Sequence, residues 1–164
     1  MTNSYQELCG KIGYIFRNPS HLKLALTHSS YSNEHKSQKK DNNERLEYLG
    51  DAVLELTVTD YLFHTYPDKK EGELTKIRSS LVCERTLSGC ARDISLGSAL
   101  RLSKGEHQTG GRERDSILSD AFEAVIGAIY LDGGFEPARA FINRFLLTDV
   151  EEKTLFYDAK TILQ

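Results

Sequence analysis

Four carboxylates stand at helical spacing in two apolar stretches of the chain. Glu47 and Asp51 are four residues apart in "NNERLEYLGDA" (residues 42–52); Asp120 and Glu123 are three apart in "SILSDAFEAVIGAIY" (residues 116–130). Such spacings put each pair on one helix face, where like charges destabilise the helix slightly. A carboxylate removed from water without a partner takes up a proton or finds a cation. Neither pair has a Lys or Arg one turn away on its acidic face, although Arg45 and the bases of nearby loops could approach in space. A divalent metal is the economical answer, because hard cations take oxygen ligands and Mg2+ is held by a few carboxylates plus water and substrate phosphate. Two acids from each of two packed helices is how helical bundles build internal metal sites.

The competing reading is a solvated helix face, to which most charge runs belong. It fits the first segment better than the second, since Asp120 and Glu123 are the only charged residues from Ile117 to Leu131. Helical iron or manganese redox sites place a His one turn from a Glu, and no Glu-x-x-His occurs among these acids. All-oxygen ligation points to Mg2+ or Mn2+ and to hydrolysis of a phosphodiester or a nucleotide.

The elements that must position these acids are helical. Ser4 with Glu7 reads as a capping box, followed by Tyr5, Leu8, Cys9 and Ile12 at helical spacing. Asn18-Pro19 reads as a cap with proline in the first turn of a second helix. Between Thr27 and Asn43, "THSSYSNEHKSQKKDNN" loses the apolar period and reads as a loop with a basic centre at Lys36, Lys39 and Lys40. A long helix is expected from near Asn43 to Tyr66, stopped by Pro67; "EGELTKIRSSLV" and "ERTLSGCARDI" give two more. A second loop, "LSKGEHQTGGRERDS", carries Arg112 and Arg114 ahead of the apolar helix that holds Asp120 and Glu123, which ends at Gly133 and Gly134. The residues from Phe135 to Phe145 form a further amphipathic helix, and "YDAKTILQ" offers Asp158 as the cap of a helix too short to stand alone. The two acid-bearing helices are the most hydrophobic and are expected at the centre of an all-α bundle.

With 164 residues the chain suits one domain with a single core. No apolar run approaches the length of a membrane span and the N-terminus lacks a basic start before an apolar stretch, so the expected location is cytoplasmic, without a membrane partner. Cys9, Cys83 and Cys90 show no paired spacing and read as core thiols. The formal charge of −3 sits oddly with nucleic-acid binding. Setting aside four metal-bound acids takes it to +1.

"NERLEYLGDAVL" (43–54), "GGRERDSILSDAFEAVIGAIYLDGG" (110–134), "THSSY" and "EGELTKIRSSLV" together resemble the ribonuclease III endonucleases over nearly the whole chain. The resemblance implies an all-α, helical ribonuclease III nuclease domain over residues 1–150. Residues 151–164 would then be a linker and the opening of a double-stranded-RNA-binding domain, which "DAKTILQ" resembles. It implies an endoribonuclease that cuts double-stranded RNA in the processing of ribosomal and messenger RNA. The reaction is Mg2+-dependent, with Mn2+ as substitute: water attacks in line, leaving 5'-phosphate and 3'-hydroxyl ends. Residue by residue, Asp51 and Glu123 match the catalytic positions, and Glu47, Asp51, Asp120 and Glu123 the metal site. Glu44 and Glu71 match acids at the edge of the cleft, although a helix-start acid favoured by the dipole serves equally for Glu44. Lys36, Lys39, Lys40, Arg112 and Arg114 are the expected contacts to the phosphates of the duplex, which is read mainly by shape, phosphates and 2'-hydroxyls. Family members are homodimers, and Tyr48 matches an aromatic that packs into the partner; the alternative is an aromatic of the chain's own core. An all-helical Mg2+-dependent nucleotide pyrophosphatase, or a non-catalytic RNA-binding or dimerisation domain, are the rival functions.

Overall fold

The computed structural model describes residues 3–35 and 41–163, so the expected basic centre at Lys36, Lys39 and Lys40 lies outside the described residues. The chain forms α1 (Asn3–Ile12), α2 (Pro19–Ala25), α3 (Ser29–Glu34), α4 (Glu44–Thr65), α5 (Glu71–Leu81), α6 (Glu84–Asp93), α7 (Leu96–Ala99) and α8 (Lys104–Gln108). A 3-10 turn (Gly111–Glu113) leads into α9 (Asp115–Gly133), α10 (Phe135–Phe145) and α11 (Val150–Ile162). No strand occurs among the described residues; the one extended pairing is an isolated parallel bridge between Thr27 and Arg101. No described helix is long and apolar enough to cross a membrane.

The centre of the bundle is α9. Leu118, Ala121, Phe122, Ala124, Val125, Ile126, Ala128 and Ile129 are all buried, so the helix is covered nearly all round, by α2, α4, α6 and α10. A helix that is apolar on every side can be satisfied only in that position. Alongside it, α4 buries Leu46, Val53, Leu54, Val58 and Leu62. The two helices cross where each carries a glycine: a Cβ on Gly50 would collide with the Glu123 carbonyl, and one on Gly127 with the Leu46 carbonyl. The backbones therefore touch, and the acids one turn from each glycine are drawn together.

Several local expectations are corrected. Ser4 lies inside α1, which starts at Asn3, so it is not a cap. Asn43 does precede α4, but its side chain turns inward to donate to the Ala25 carbonyl at 3.1 Å, and Asn42 accepts the Glu44 N–H instead. The two expected loops contain α3 and α8. These are single turns started by His28 and Ser103, each accepting a backbone N–H with its side chain, and too polar to show an apolar period. Asp158 sits within α11, not at its start; the helix begins at Val150, which is buried, and packs against α5. Lys153 donates to the carbonyls of Leu146 and Thr148, closing the turn that leads into it.

The Asn18 cap is as expected, its side chain accepting the Ser20 N–H. Near the end of α9, Asp132 accepts from the Tyr14 hydroxyl and from the N–H groups of Arg17 and Asn18, at 2.7–2.8 Å. These three donors hold its carboxyl below the usual range although local burial opposes them, and they tie the α1–α2 connection to the central helix.

Candidate active site

The crossing of α4 and α9 brings Glu47 and Asp51 from one helix into the electrostatic field of Asp120 and Glu123 from the other. Burial pushes Glu123 up to about 8, with Asp51, Glu47, Asp120 and Glu55 adding to it in that order. Glu47 is pushed up to about 7 by burial, then by the charge of Asp120 and a hydrogen bond to it. Asp120 is raised too, by loss of surrounding water, although Glu47 and His28 pull it the other way. Glu47 and Asp120 lie against each other, and both carboxyls stand above their ordinary range, with burial the largest cause for each.

Asp51 and Asp120 are exposed as residues and Glu47 and Glu123 half-buried, so the group stands on an open flank of the crossing, not sealed in the bundle. Among the described ion pairs none involves these four acids, and neither Arg45 nor a loop base neutralises them. Their donors are all oxygen, which suits a hard divalent cation. Among the described residues no three His, Cys, Asp or Glu side chains converge into a ready-made metal cage, and Glu47 and Asp120 point at each other. The donor set fits such a cation in chemistry: four carboxylates, of which Glu47, Asp120 and Glu123 are raised by burial and would be relieved by a positive charge.

Glu44, the first residue of α4, acts on Glu47, Asp120 and His28 and so stands at the edge of the group. Glu71 does not join it. It opens α5, accepts from the Thr75 hydroxyl at 2.9 Å and lines a groove between α4 and α5 with Phe63 and Leu74. Arg114 reaches the field of His28 while pairing with Glu106 and donating to the Thr109 carbonyl at 3.1 Å. Arg112 is in part a brace: its Nη1 donates to the carbonyls of Gly97 and Leu100 at 3.0 and 2.6 Å and its Nε to His107 at 2.9 Å, which fixes the guanidinium and leaves Nη2 as the group that can reach a phosphate. Tyr48 is 84% exposed, which removes the reading of it as an aromatic of the chain's own core.

Three participants escaped the sequence reading. Gly50 and Gly127 set the helix spacing, and a glycine one turn after an acid in both segments was the available signal. His28 faces Asp120 and Glu44 from outside both helices; its segment "THSSY" carried part of the family resemblance, but nothing there singled out the ring.

Residues 18–150 match the family model described as Ribonuclease-III-like. The chain is 46% identical to Ribonuclease 3 of Listeria monocytogenes, covering 99% of this chain and 72% of that one. It is 50% identical to Ribonuclease 3 of Clostridium botulinum, covering 98% and 69%. The nuclease domain of ribonuclease III from Campylobacter jejuni, a structure described for flexibility in a region involved in dimer formation, superposes with a TM-score of 0.80 at 44% identity, over 86% of this chain and 94% of that one. The matches of fold and of sequence over nearly the full length agree: this chain belongs to the ribonuclease III family.

Proposed function

We propose that the chain is an endoribonuclease that hydrolyses double-stranded RNA at the α4–α9 crossing, with Mg2+ or Mn2+ held by Glu47, Asp51, Asp120 and Glu123, and that it works as a homodimer. The observation that carries this reading is the group of four mutually repelling carboxylates, drawn together from two helices with no basic partner among the described ion pairs. A divalent cation bound there supplies the charge that makes water a nucleophile at neutral pH and that stabilises the departing 3' oxygen, leaving a 5'-phosphate.

The chain's own residues supply the rest. Repulsion among the acids, written in the raised values of Glu47 and Glu123, makes binding of a cation more favourable than at isolated carboxylates. Asp51 acts on Glu123 across the crossing, and the group they belong to lies on an open flank where a duplex would dock. Glu44 stands at its edge, and Arg114 with the Lys36, Lys39 and Lys40 segment supplies phosphate contacts. The dimer rests on the exposed side of α4, where Tyr48, Leu56 and Phe63 leave apolar surface in water. Family membership supports the nuclease over the nucleotide pyrophosphatase, and the intact acids support an active centre over a purely binding domain.

The test is incubation of the chain with a defined RNA duplex, with Mg2+ and with a chelator. Cleavage with the metal, none with the chelator, and loss of at least about a hundredfold in rate for Glu123→Gln are expected, because several kcal/mol of transition-state stabilisation depend on the cation's ligands. The variant should keep its dimer and its RNA affinity. An intact duplex after long incubation with either Mg2+ or Mn2+ would overturn the reading.

A further inference from the structure

We infer that His28 is a substrate-contact residue of this site, its Nε2–H donating to a non-bridging oxygen of the RNA phosphodiester held at the acidic group. The inference rests on the function proposed above and adds a residue from outside the two acidic helices.

The tautomer of the ring follows from its partners. His28 precedes α3, and its Nδ1 accepts the backbone N–H of Ser30 at 3.1 Å. A backbone N–H can only donate, so Nδ1 presents a lone pair and the hydrogen of the neutral ring sits on Nε2. The Ser30 hydroxyl lies 2.8 Å from the same Nδ1 while its oxygen accepts the Ser103 N–H at 3.0 Å, so its own hydrogen points back to the ring. Two donors on Nδ1 leave no room for the other tautomer.

The ring is also carried on a rigid segment. His28 N–H donates to the Arg101 carbonyl at 3.1 Å, Arg101 N–H to the Leu26 carbonyl at 2.8 Å, and Asn43 N–H to the Thr27 carbonyl at 2.9 Å. One turn further on, Lys104 N–H donates to the Glu34 carboxylate at 2.9 Å. Residues 26–28 are thus bonded both to the stretch before α4 and to the stretch before α8, with His28 held between them. A contact group has to be held to a fraction of an ångström, and this segment is built to do that.

The charged groups that face His28 are Asp120, Glu44 and Arg114. None of the described residues accepts a hydrogen bond from Nε2, and Nε2 is not a buried orphan, so its N–H is available to an acceptor that arrives beside Asp120 and Glu44. Because Nδ1 accepts the Ser30 N–H, the ring carries its one hydrogen on Nε2 and is uncharged. That is the useful form here. A lysine or arginine at this place would pair with Asp120 or Glu44 and repel the cation, whereas a neutral donor can hold a phosphate oxygen beside the metal without competing for its ligands.

The experiment compares His28→Asn and His28→Gln with the unaltered chain in duplex cleavage with Mg2+, reading kcat and KM separately, alongside thermal melts. Asparagine keeps the cap, its side-chain oxygen accepting the Ser30 N–H, but ends where Nδ1 stood. Glutamine places an N–H near the position of Nε2. The contact role predicts that His28→Asn melts within a few degrees of the unaltered chain but loses about tenfold or more in kcat/KM, and that His28→Gln regains most of the loss. Equal activity of the two variants, at whatever level, overturns the contact and leaves His28 as a helix cap. If the unaltered chain does not cut RNA, it is the proposed function that fails, and a loss confined to His28→Asn cannot be confused with that outcome.

Discussion

Glu47 and Glu123 make the stability of the cation-free chain depend on pH in an uncommon direction. Most carboxylates that matter to a fold are lowered by it; these two are raised, to about 7 and about 8, from an ordinary value of 4.5. The folded chain therefore binds more protons than the unfolded chain between that ordinary value and the raised ones, and its stability falls as pH rises across that window. The contribution is complete below the ordinary value and is lost as pH passes through about 7 and about 8. In a chelator the melting temperature should drop between about pH 5.5 and about pH 8.5, and drop less in the double variant Glu47→Gln/Glu123→Gln. Mg2+ should raise it more at the higher pH, because its ligands must be deprotonated to bind. A melting temperature that is flat with pH in the chelator would show that the acids do not carry this repulsion.

Gly50 and Gly127 show what an element contributes beyond its pattern. An alanine inside a helix is ordinarily about 0.5–1 kcal/mol better than glycine. At Gly50 the sign reverses, since the added carbon meets the Glu123 carbonyl and the helices must part. The loss for Gly50→Ala should be about 1–3 kcal/mol in denaturant unfolding, the usual cost of forcing a carbon into a packed contact. Cleavage should fall with it because the acids separate. An unchanged or higher stability would mean that the crossing relaxes freely. Gly72 and Gly89 lie in helices with open space where a Cβ would go, and an alanine at either is the matched control.

At the scale of the molecule, α4 faces two ways at once. With about 100° between successive residues, Glu44, Glu47, Asp51 and Glu55 fall on one side and Tyr48, Ala52, Leu56 and Phe63 on the adjoining side. Tyr48 is 84%, Leu56 59% and Phe63 66% exposed, an apolar stripe of the kind that marks an interface. A two-fold dimer that buries this stripe against its own copy would place the two acidic groups on either side of the seam, one for each strand. The double variant Leu56→Asp/Phe63→Asp should halve the mass seen by light scattering while leaving the helical content unchanged. A dimer that survives both aspartates would move the interface elsewhere on the surface.

By itself the sequence determined the all-α class, the bounds of α4 and α9 within a residue or two and the family, and it singled out the four carboxylates as candidates. These are local properties: apolar periodicity, acids at fixed spacing, and motifs that need no partner to be read. It missed α3 and α8, whose single turns are stabilised by side-chain caps and long-range hydrogen bonds, not by an apolar face. It could not show that Arg112 also braces the carbonyls of Gly97 and Leu100. Only the tertiary structure decided that Gly50 and Gly127 let two backbones touch, that Glu47 and Asp120 come against each other beside that contact, and that Glu71 stands apart from the group while His28 comes into its field. Those outcomes depend on distances between residues dozens of positions apart, which packing sets and spacing along the chain does not record.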